Sequence, residues 1–201
     1  MASAKNRTEQ LSQLANQSKM DFKPVDDWKL SNLLEDFKLF RSGGAHKITN
    51  MLMKKDDMET MDFRIFDFAY TVSTGKSSTT IRQTVLYVHS TALSLPQFWM
   101  KPENIFHKLG IWLGLQRDIN FEEFPEFSKQ YFLKSKDEEY TRATMHDIVL
   151  HFFTIEKNWY LEGIGYMMLF YKQGVLLDMP EIKELHWKGL KIYDMLLTEP
   201  L

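Results

Sequence analysis

The chain of 201 residues contains no cysteine. This absence excludes disulfide bonds, thiolate zinc sites, iron–sulfur clusters and cysteine nucleophiles, and it is typical of a reducing compartment. Strong charge of one sign is lacking too, because 25 basic residues stand against 27 acidic ones. The chain therefore has no basic stripe for a nucleic-acid backbone, and we expect no nucleic-acid partner.

Long apolar runs are lacking as well. The longest nearly uncharged stretch, residues 163–171, lies between Glu162 and Lys172, whereas a helix that spans a bilayer needs about 20 apolar residues. The opening residues 1–20 are polar and lack the apolar centre of a secretory signal. We therefore expect a cytoplasmic chain with no membrane span and at most weak peripheral contact with a membrane.

What the sequence does contain is enough apolar material for a core, since 44% of residues are hydrophobic and 14% are aromatic. At this length a single domain is expected. Leu11, Leu14 and Ala15 lie at helical spacing among polar residues, which is typical of a helix that docks along a narrow face. We predict a helical arm over residues 1–20 and one α+β domain over residues 21–201.

The clearest pattern is the alternation of apolar and polar residues over 61–76 and again over 79–90. A period of two predicts strands, and the polar connection 73–78 with its central glycine is typical of a hairpin loop. A second hairpin is predicted over 159–172. The expected fold is α+β, with a mainly antiparallel sheet of hairpins and helices packed on at least one face.

The remaining segments follow from weaker signals. Extended structure is predicted at 20–23, 46–54, 95–100, 119–121 and 130–133, and helices after Asp26, after Pro102, from Asp137 to Phe153 and from Asp178 to Leu197. Asp178 and Glu181 have the spacing of a capping box. The acidic segment 122–127 is predicted to be a loop.

Two motifs invite a catalytic or cofactor role, and their spacing argues against it. Gly75-Lys76-Ser77 resembles the end of a phosphate-binding loop, but Tyr70 stands where that motif requires a glycine, and a strand is predicted where it requires a helix. His146 and His151 lie five residues apart on a predicted helix, so they point to different faces. We expect neither a cofactor nor a metal site.

Asp67 is the first candidate site residue, because it alternates onto the same strand face as Phe63, Ile65 and Ala69. A carboxylate in such a place costs several kcal/mol unless it is paired or hydrogen-bonded. The favoured interpretation is a bond to Arg82, Gln83 or Thr84 on the neighbouring strand, and a binding or acid–base role is the alternative. Glu162 is a second carboxylate in an apolar strand, and convergence of the two would make a paired-carboxylate site.

Trp99 and Trp112 are the other candidates for a binding site. They flank a helix that is predicted to open at Pro102. Aromatic residues are mostly core residues, but tryptophan is also enriched in concave pockets and at partner interfaces. Both interpretations stay open.

The order of several short motifs resembles a family of uncharacterised bacterial proteins over residues 34–197. The motifs are Phe37-Lys38-Leu39-Phe40, Gly43, Asn50, Phe66-Asp67-Phe68-Ala69-Tyr70-Thr71, Gly75-Lys76, Gln83-Thr84-Val85, Leu95-Pro96-Gln97-Phe98, Lys101-Pro102-Glu103, Asp118-Ile119-Asn120-Phe121, Pro125-Glu126-Phe127-Ser128 and Glu162-Gly163. Members of that family often carry a membrane anchor before this domain, and here the polar residues 1–19 take its place. The resemblance implies a shared fold and no site residues.

Three functions remain open from the sequence. The first is a non-catalytic module that binds a protein or a small ligand through an aromatic-lined surface, and the lack of a complete catalytic motif favours it. The second is a hydrolase-type enzyme that uses Asp67, Glu162 or a histidine. The third is a peripheral component of a membrane-associated complex.

Overall fold

The structure is a computed structural model that describes residues 2–26, 29–55, 60–103 and 118–197. Eight strands lie within these ranges: β1 (Asp21–Val25), β2 (Gly44–Lys55), β3 (Met61–Ser73), β4 (Ser78–Ser90), β5 (Leu95–Pro102), β6 (Tyr131–Ser135), β7 (Tyr160–Gly165) and β8 (Met167–Tyr171). They form one sheet in the order β1-β2-β3-β4-β8-β7-β5-β6, and each neighbouring pair is antiparallel. The α+β prediction with a mainly antiparallel sheet is confirmed.

Helices of the described ranges lie before, between and after these strands. They are α1 (Ala2–Gln17), α2 (Lys29–Leu33), α3 (Pro125–Gln130), α4 (Glu138–Thr144), α5 (Asp147–Ile155) and α6 (Met179–Leu197), with a 3-10 turn at Leu39–Arg41. The helix predicted after Pro102 falls on residues outside the described ranges.

Both predicted hairpins are present. β3 and β4 pair without interruption from Met61↔Ser90 to Ser73↔Ser78. Gly75 has a positive φ of 82° in the connecting turn, a conformation that glycine adopts at little cost. β7 and β8 pair around Tyr166, and β4 joins the two hairpins through β8.

The two faces of the sheet carry separate cores. The first, the α1 face, bears Phe63, Ile65 and Leu86 and is covered by apolar residues of α1, α5 and α6. The second, the α2 face, bears Phe66, Phe68 and Tyr87 and is covered by Leu30, Leu34, Phe37 and Phe40 from the segment 30–41. Leu11, Leu14 and Ala15 of the predicted arm are buried in the first core.

Two local predictions were wrong between β5 and α4. Residues 119–121 are not a strand. The Ile119 N–H donates to the carbonyl of Leu133, but the Leu133 N–H donates to the side chain of Asp118 and not to a backbone carbonyl of this segment. The segment 122–127 is not wholly a loop, since α3 begins at Pro125. A proline at the first helical position costs nothing, because the N–H it lacks has no partner there.

The helical stripe predicted from Asp137 to Phe153 is divided into two helices. Asp137 caps α4 by accepting the Tyr140 N–H at 3.0 Å. The chain leaves helical geometry at Met145 and His146, and α5 then starts at Asp147. After this break Ile148 is 49% exposed.

Candidate functional site

Of the four candidate site residues, three are described by the structure. Asp67 lies on β3 and faces α1, whereas Trp99 on β5 and Glu162 on β7 lie on the α2 face. Trp112 lies outside the described ranges. Asp67 and Glu162 therefore sit on opposite faces of the sheet, and they do not form a paired-carboxylate site with each other.

Asp67 is buried within a network of charged and polar side chains. The guanidinium of Arg7, from α1, donates to both carboxylate oxygens at 2.7 Å. Asn50 Nδ2 donates at 2.9 Å from a bulge of β2, and the Thr84 hydroxyl donates at 3.2 Å from β4. Four donor atoms thus satisfy this carboxylate, and the network ties α1 to the sheet.

The predicted partners of Asp67 were partly right. Thr84 is a partner, but Arg82 is exposed and the Gln83 amide oxygen instead accepts the Gly174 N–H at 2.8 Å. Residues on one strand alternate between faces, so Gln83 next to Thr84 cannot point to the same side. Arg7 was missed because it stands 60 positions away in the chain.

Glu162 is 1% exposed, and each of its oxygens accepts a hydrogen bond. The Lys38 N–H donates to Oε2 at 2.5 Å, and the Leu39 N–H and the Tyr171 hydroxyl donate to Oε1 at 3.0 and 2.7 Å. Burial raises the pKa of this carboxyl to about 7, against the opposing effect of the three hydrogen bonds and the Lys38 charge. The side chain fastens the segment before the 3-10 turn to the sheet.

Trp99 lies beside Glu162, because the two residues are register partners on β5 and β7. Lys134 on β6 is the register partner of Trp99 on its other side. These three side chains form a row across the α2 face, next to the segment 36–41. A cleft of about 300 Å³ opens there, with Arg41 and Ile164 also on its walls.

A second cleft of about 360 Å³ shares Lys38 and Trp99 with the first one and reaches Lys101, Tyr160 and Tyr171. The two spaces flank the Lys38–Trp99 contact. We call them together the Trp99 cleft.

Two ammonium groups lie against the Trp99 ring. The Nζ atoms of Lys38 and Lys101 are 5.7 and 5.0 Å from its centroid, and Lys101 Nζ is also 5.3 Å from the Phe132 ring. Lys101 is 5% exposed. Burial lowers the pKa of Lys101, with the nearby Lys38 acting in the same direction and Glu103 in the opposite one. The site combines an aromatic platform with closely spaced positive charges.

The basic residues of the Trp99 cleft were not among the sequence candidates. One signal was available, since Trp99 and Lys101 are two apart on a predicted strand and so share a face. Lys134 and Lys38 come from other segments, and only the pairing of β5 with β6 and the fold of residues 36–41 bring them to Trp99.

Two of the described histidines lie against backbone carbonyls. His146 Nε2 lies 2.9 Å from the carbonyl of Met195, and His46 Nε2 lies 2.9 Å from that of Ser42. No group of three histidine, aspartate or glutamate side chains in the described ranges is placed to hold a metal ion.

Comparisons with known proteins inform the fold alone. No protein family and no curated protein matches this sequence. Among solved structures, the crystal structure of the mycobacterial trehalose monomycolate transport factor A, TtfA, aligns with a TM-score of 0.60 and 10% sequence identity. The chain shares its fold with TtfA. The alignment covers 96% of this chain and 97% of TtfA, so the likeness extends over the whole architecture.

This likeness leaves the motif-based resemblance to an uncharacterised bacterial family as a prediction. As for membranes, the helices in the described part of the chain are all too short or too polar to cross a bilayer.

Proposed function

We propose that the chain is a non-catalytic, cytoplasmic binding module and that the Trp99 cleft holds its ligand. The observation that carries the proposal is the row of Lys134, Trp99 and Glu162, which lines an open space beside the covered part of the α2 face. Pockets for small molecules typically combine apolar walls with a few polar groups. Ile164 supplies further apolar wall here.

The hydrogen bonds of the two buried carboxylates support binding over catalysis. A general acid or base must reach the reacting group of a substrate. Asp67 is enclosed by Arg7, Asn50 and Thr84, and Glu162 by two backbone N–H groups and the Tyr171 hydroxyl. Each carboxylate has structural partners that a catalytic role would have to displace.

A thermal-shift screen with matched tryptophan variants tests this function. Neutral, anionic and cationic small molecules are screened against the wild type, Trp99→Ala and Trp187→Ala. Trp187 is the control because it is 58% exposed on α6, which packs against the other face of the sheet. Compounds that bind in the cleft should raise Tm in the wild type and in Trp187→Ala, and should fail to do so in Trp99→Ala.

Two results would refute the proposal. One is a complete absence of stabilising compounds across the three chemical classes. The other is a set of compounds whose Tm shifts are equal in the wild type and Trp99→Ala, since their binding site then lies elsewhere.

A second candidate function is a peripheral component of a membrane-associated transport apparatus. The fold shared with TtfA, a transport factor, favours it. In that case the purified chain should sediment with membranes from its own cells and should not sediment with protein-free anionic liposomes. Equal recovery on both, or on neither, speaks against this role.

A further inference from the structure

The geometry points to an anionic ligand for the Trp99 cleft, specifically a phosphate monoester joined to an apolar or ring-shaped body. This inference rests on the proposed function and adds the chemical class of the ligand. Three features carry it: the balance of charge around the cleft, the two lysines beside Trp99, and the apolar wall next to them.

The charge balance of the cleft is positive. The walls of the first space carry Lys38, Arg41, Lys134 and Lys136 against Asp36 and Glu162. Asp36 forms an ion pair with Arg41, in which Asp36 Oδ1 lies 2.5 Å from Arg41 Nη2. The oxygens of Glu162 accept bonds from the Lys38 and Leu39 N–H groups and from Tyr171, so they are not turned toward an incoming ligand.

The three lysines of the first space can direct their charge to a ligand. Within the described ranges no carboxylate forms an ion pair with Lys38, Lys134 or Lys136. Lysine is a common phosphate ligand that acts as a point charge. Several ammonium groups around one cleft suit a dianion better than a single carboxylate.

Lys38 and Lys134 define where the phosphate would bind, because both line the first space beside Trp99. The ammonium group of Lys38 lies 5.7 Å from the centroid of the Trp99 ring, and Lys134 is the strand neighbour of Trp99 on β6. Two like charges that line one space repel each other, and an anion bound next to both reduces that repulsion.

The apolar wall determines the rest of the ligand. Trp99 and Ile164 line the first space, next to the basic groups. A bare phosphate ion would leave this surface in contact with water, whereas an organic group on the ester would cover it. Burial of apolar area contributes about 25 cal/mol per Å², so the ester should bind more tightly than the free ion.

Isothermal titration calorimetry with phenyl phosphate, phenol and inorganic phosphate tests the inference on the full chain. Phenyl phosphate should bind at least tenfold more tightly than phenol and more tightly than inorganic phosphate. Lys38→Gln should weaken phenyl phosphate at least fivefold. Lys183→Gln, an exposed change on α6, should leave its affinity within twofold of the wild type.

A vesicle-binding experiment distinguishes the two possible sources of a phosphate monoester. Vesicles of phosphatidylcholine with phosphatidic acid offer a lipid headgroup, and the calorimetry offers a free ester. The inference is supported if the chain binds the vesicles or phenyl phosphate and if Lys38→Gln weakens that binding while Lys183→Gln does not. The ligand that binds more tightly identifies the source of the phosphate. Equal affinity for phenol and phenyl phosphate, or no effect of Lys38→Gln, overturns it.

The outcome also distinguishes this inference from the function on which it rests. If neutral or cationic compounds stabilise the chain through Trp99 while phosphate esters do not bind, the ligand class is wrong and the binding function stands. If no compound acts through Trp99, both are wrong.

Discussion

The backbone N–H of Lys38 donates to the carboxylate of Glu162 at 2.5 Å, which joins the segment before the 3-10 turn to the middle of the sheet. This contact sets the wall of the Trp99 cleft, because Lys38 presents its ammonium group to Trp99 from the same position. The carboxylate is therefore a structural element of the proposed site.

Stability should depend on pH through Glu162. Burial raises the pKa of its carboxyl from an ordinary 4.5 to about 7 in the folded chain. Between these values the native state retains a proton that the unfolded state releases, so stability falls as pH rises from about 4.5 to 7. Over this window the contribution lost is about 3 kcal/mol, at about 1.4 kcal/mol per pKa unit.

Urea unfolding of the wild type and Glu162→Gln across this range measures the effect. The glutamine does not titrate, so the unfolding free energy of the wild type should fall relative to that of Glu162→Gln as pH rises. Asp118, whose pKa burial raises to about 6, acts in the same direction but is present in both proteins and cancels. Parallel pH profiles would show that Glu162 ionises normally in the native state.

The ion pair of Arg7 and Asp67 should show strong coupling in a double-mutant cycle. Each single change, Arg7→Met or Asp67→Ala, leaves buried polar groups without partners and should cost about 2–3 kcal/mol. Removing both should cost less than the two losses added together, with a coupling of about 1–3 kcal/mol. Asp67→Asn should cost less than Asp67→Ala because one acceptor oxygen remains.

Arg142 and Glu138 provide the matched control for this cycle. Their shortest N–O distance is 2.7 Å, the same as in the Arg7–Asp67 pair, but both side chains are exposed. An exposed pair of this kind should couple by less than about 1 kcal/mol. Equal coupling in the two cycles, or Asp67→Ala as stable as the wild type, would contradict a structural role for Asp67.

Gly189→Ala should destabilise the chain although alanine favours helices. Gly189 of α6 is buried against Leu86 of β4, and a Cβ there would overlap the Leu86 side chain. Overpacking in a core costs about 1–3 kcal/mol, which exceeds the gain of about 1 kcal/mol in helix propensity. Gly44→Ala, where no atom lies within 4 Å of the added Cβ, is the control. Denaturant melts that show Gly189→Ala to be neutral would mean that α6 moves freely on the sheet.

Lys76→Ala should leave Tm unchanged within about 2 °C, because the residue lies exposed in the turn between β3 and β4. We also expect no saturable binding of ATP or GTP, since a strand follows the turn where a phosphate-binding loop requires a helix. Equilibrium dialysis measures this. Micromolar nucleotide binding that Lys76→Ala abolishes would contradict the assignment of this segment as a hairpin turn.

Patterns confined to neighbouring residues predicted the local structure well. The alternation of β3 and β4 and the capping box of α6 follow from such patterns, and in the structure Asp178 and Glu181 do exchange bonds of 2.8 and 3.0 Å. The buried face of α6 was harder to predict, because it includes Gly189 as well as Ile192 and Met195, and a small residue gives no hydrophobic signal.

The candidate site could be predicted only in part. Burial and bonding of Asp67 and Glu162 follow from the cost of an unpaired carboxylate in an apolar strand. Arg7 could not be assigned to Asp67, nor Lys38 to Glu162, because each pair joins segments more than 50 residues apart. Strand order, which decides that Trp99 and Glu162 meet, is a property of the whole sheet.

The central claim is that the Trp99 cleft is a ligand site, and a titration of the ¹⁵N-labelled chain with phenyl phosphate tests it most directly. Amide shifts in the ¹H–¹⁵N spectrum should move in a saturable way at residues 36–42, 97–101, 134–136 and 160–164, and those changes should be lost in Trp99→Ala. Shifts that cluster instead around Asp67 and α1, or that persist in Trp99→Ala, would contradict the account.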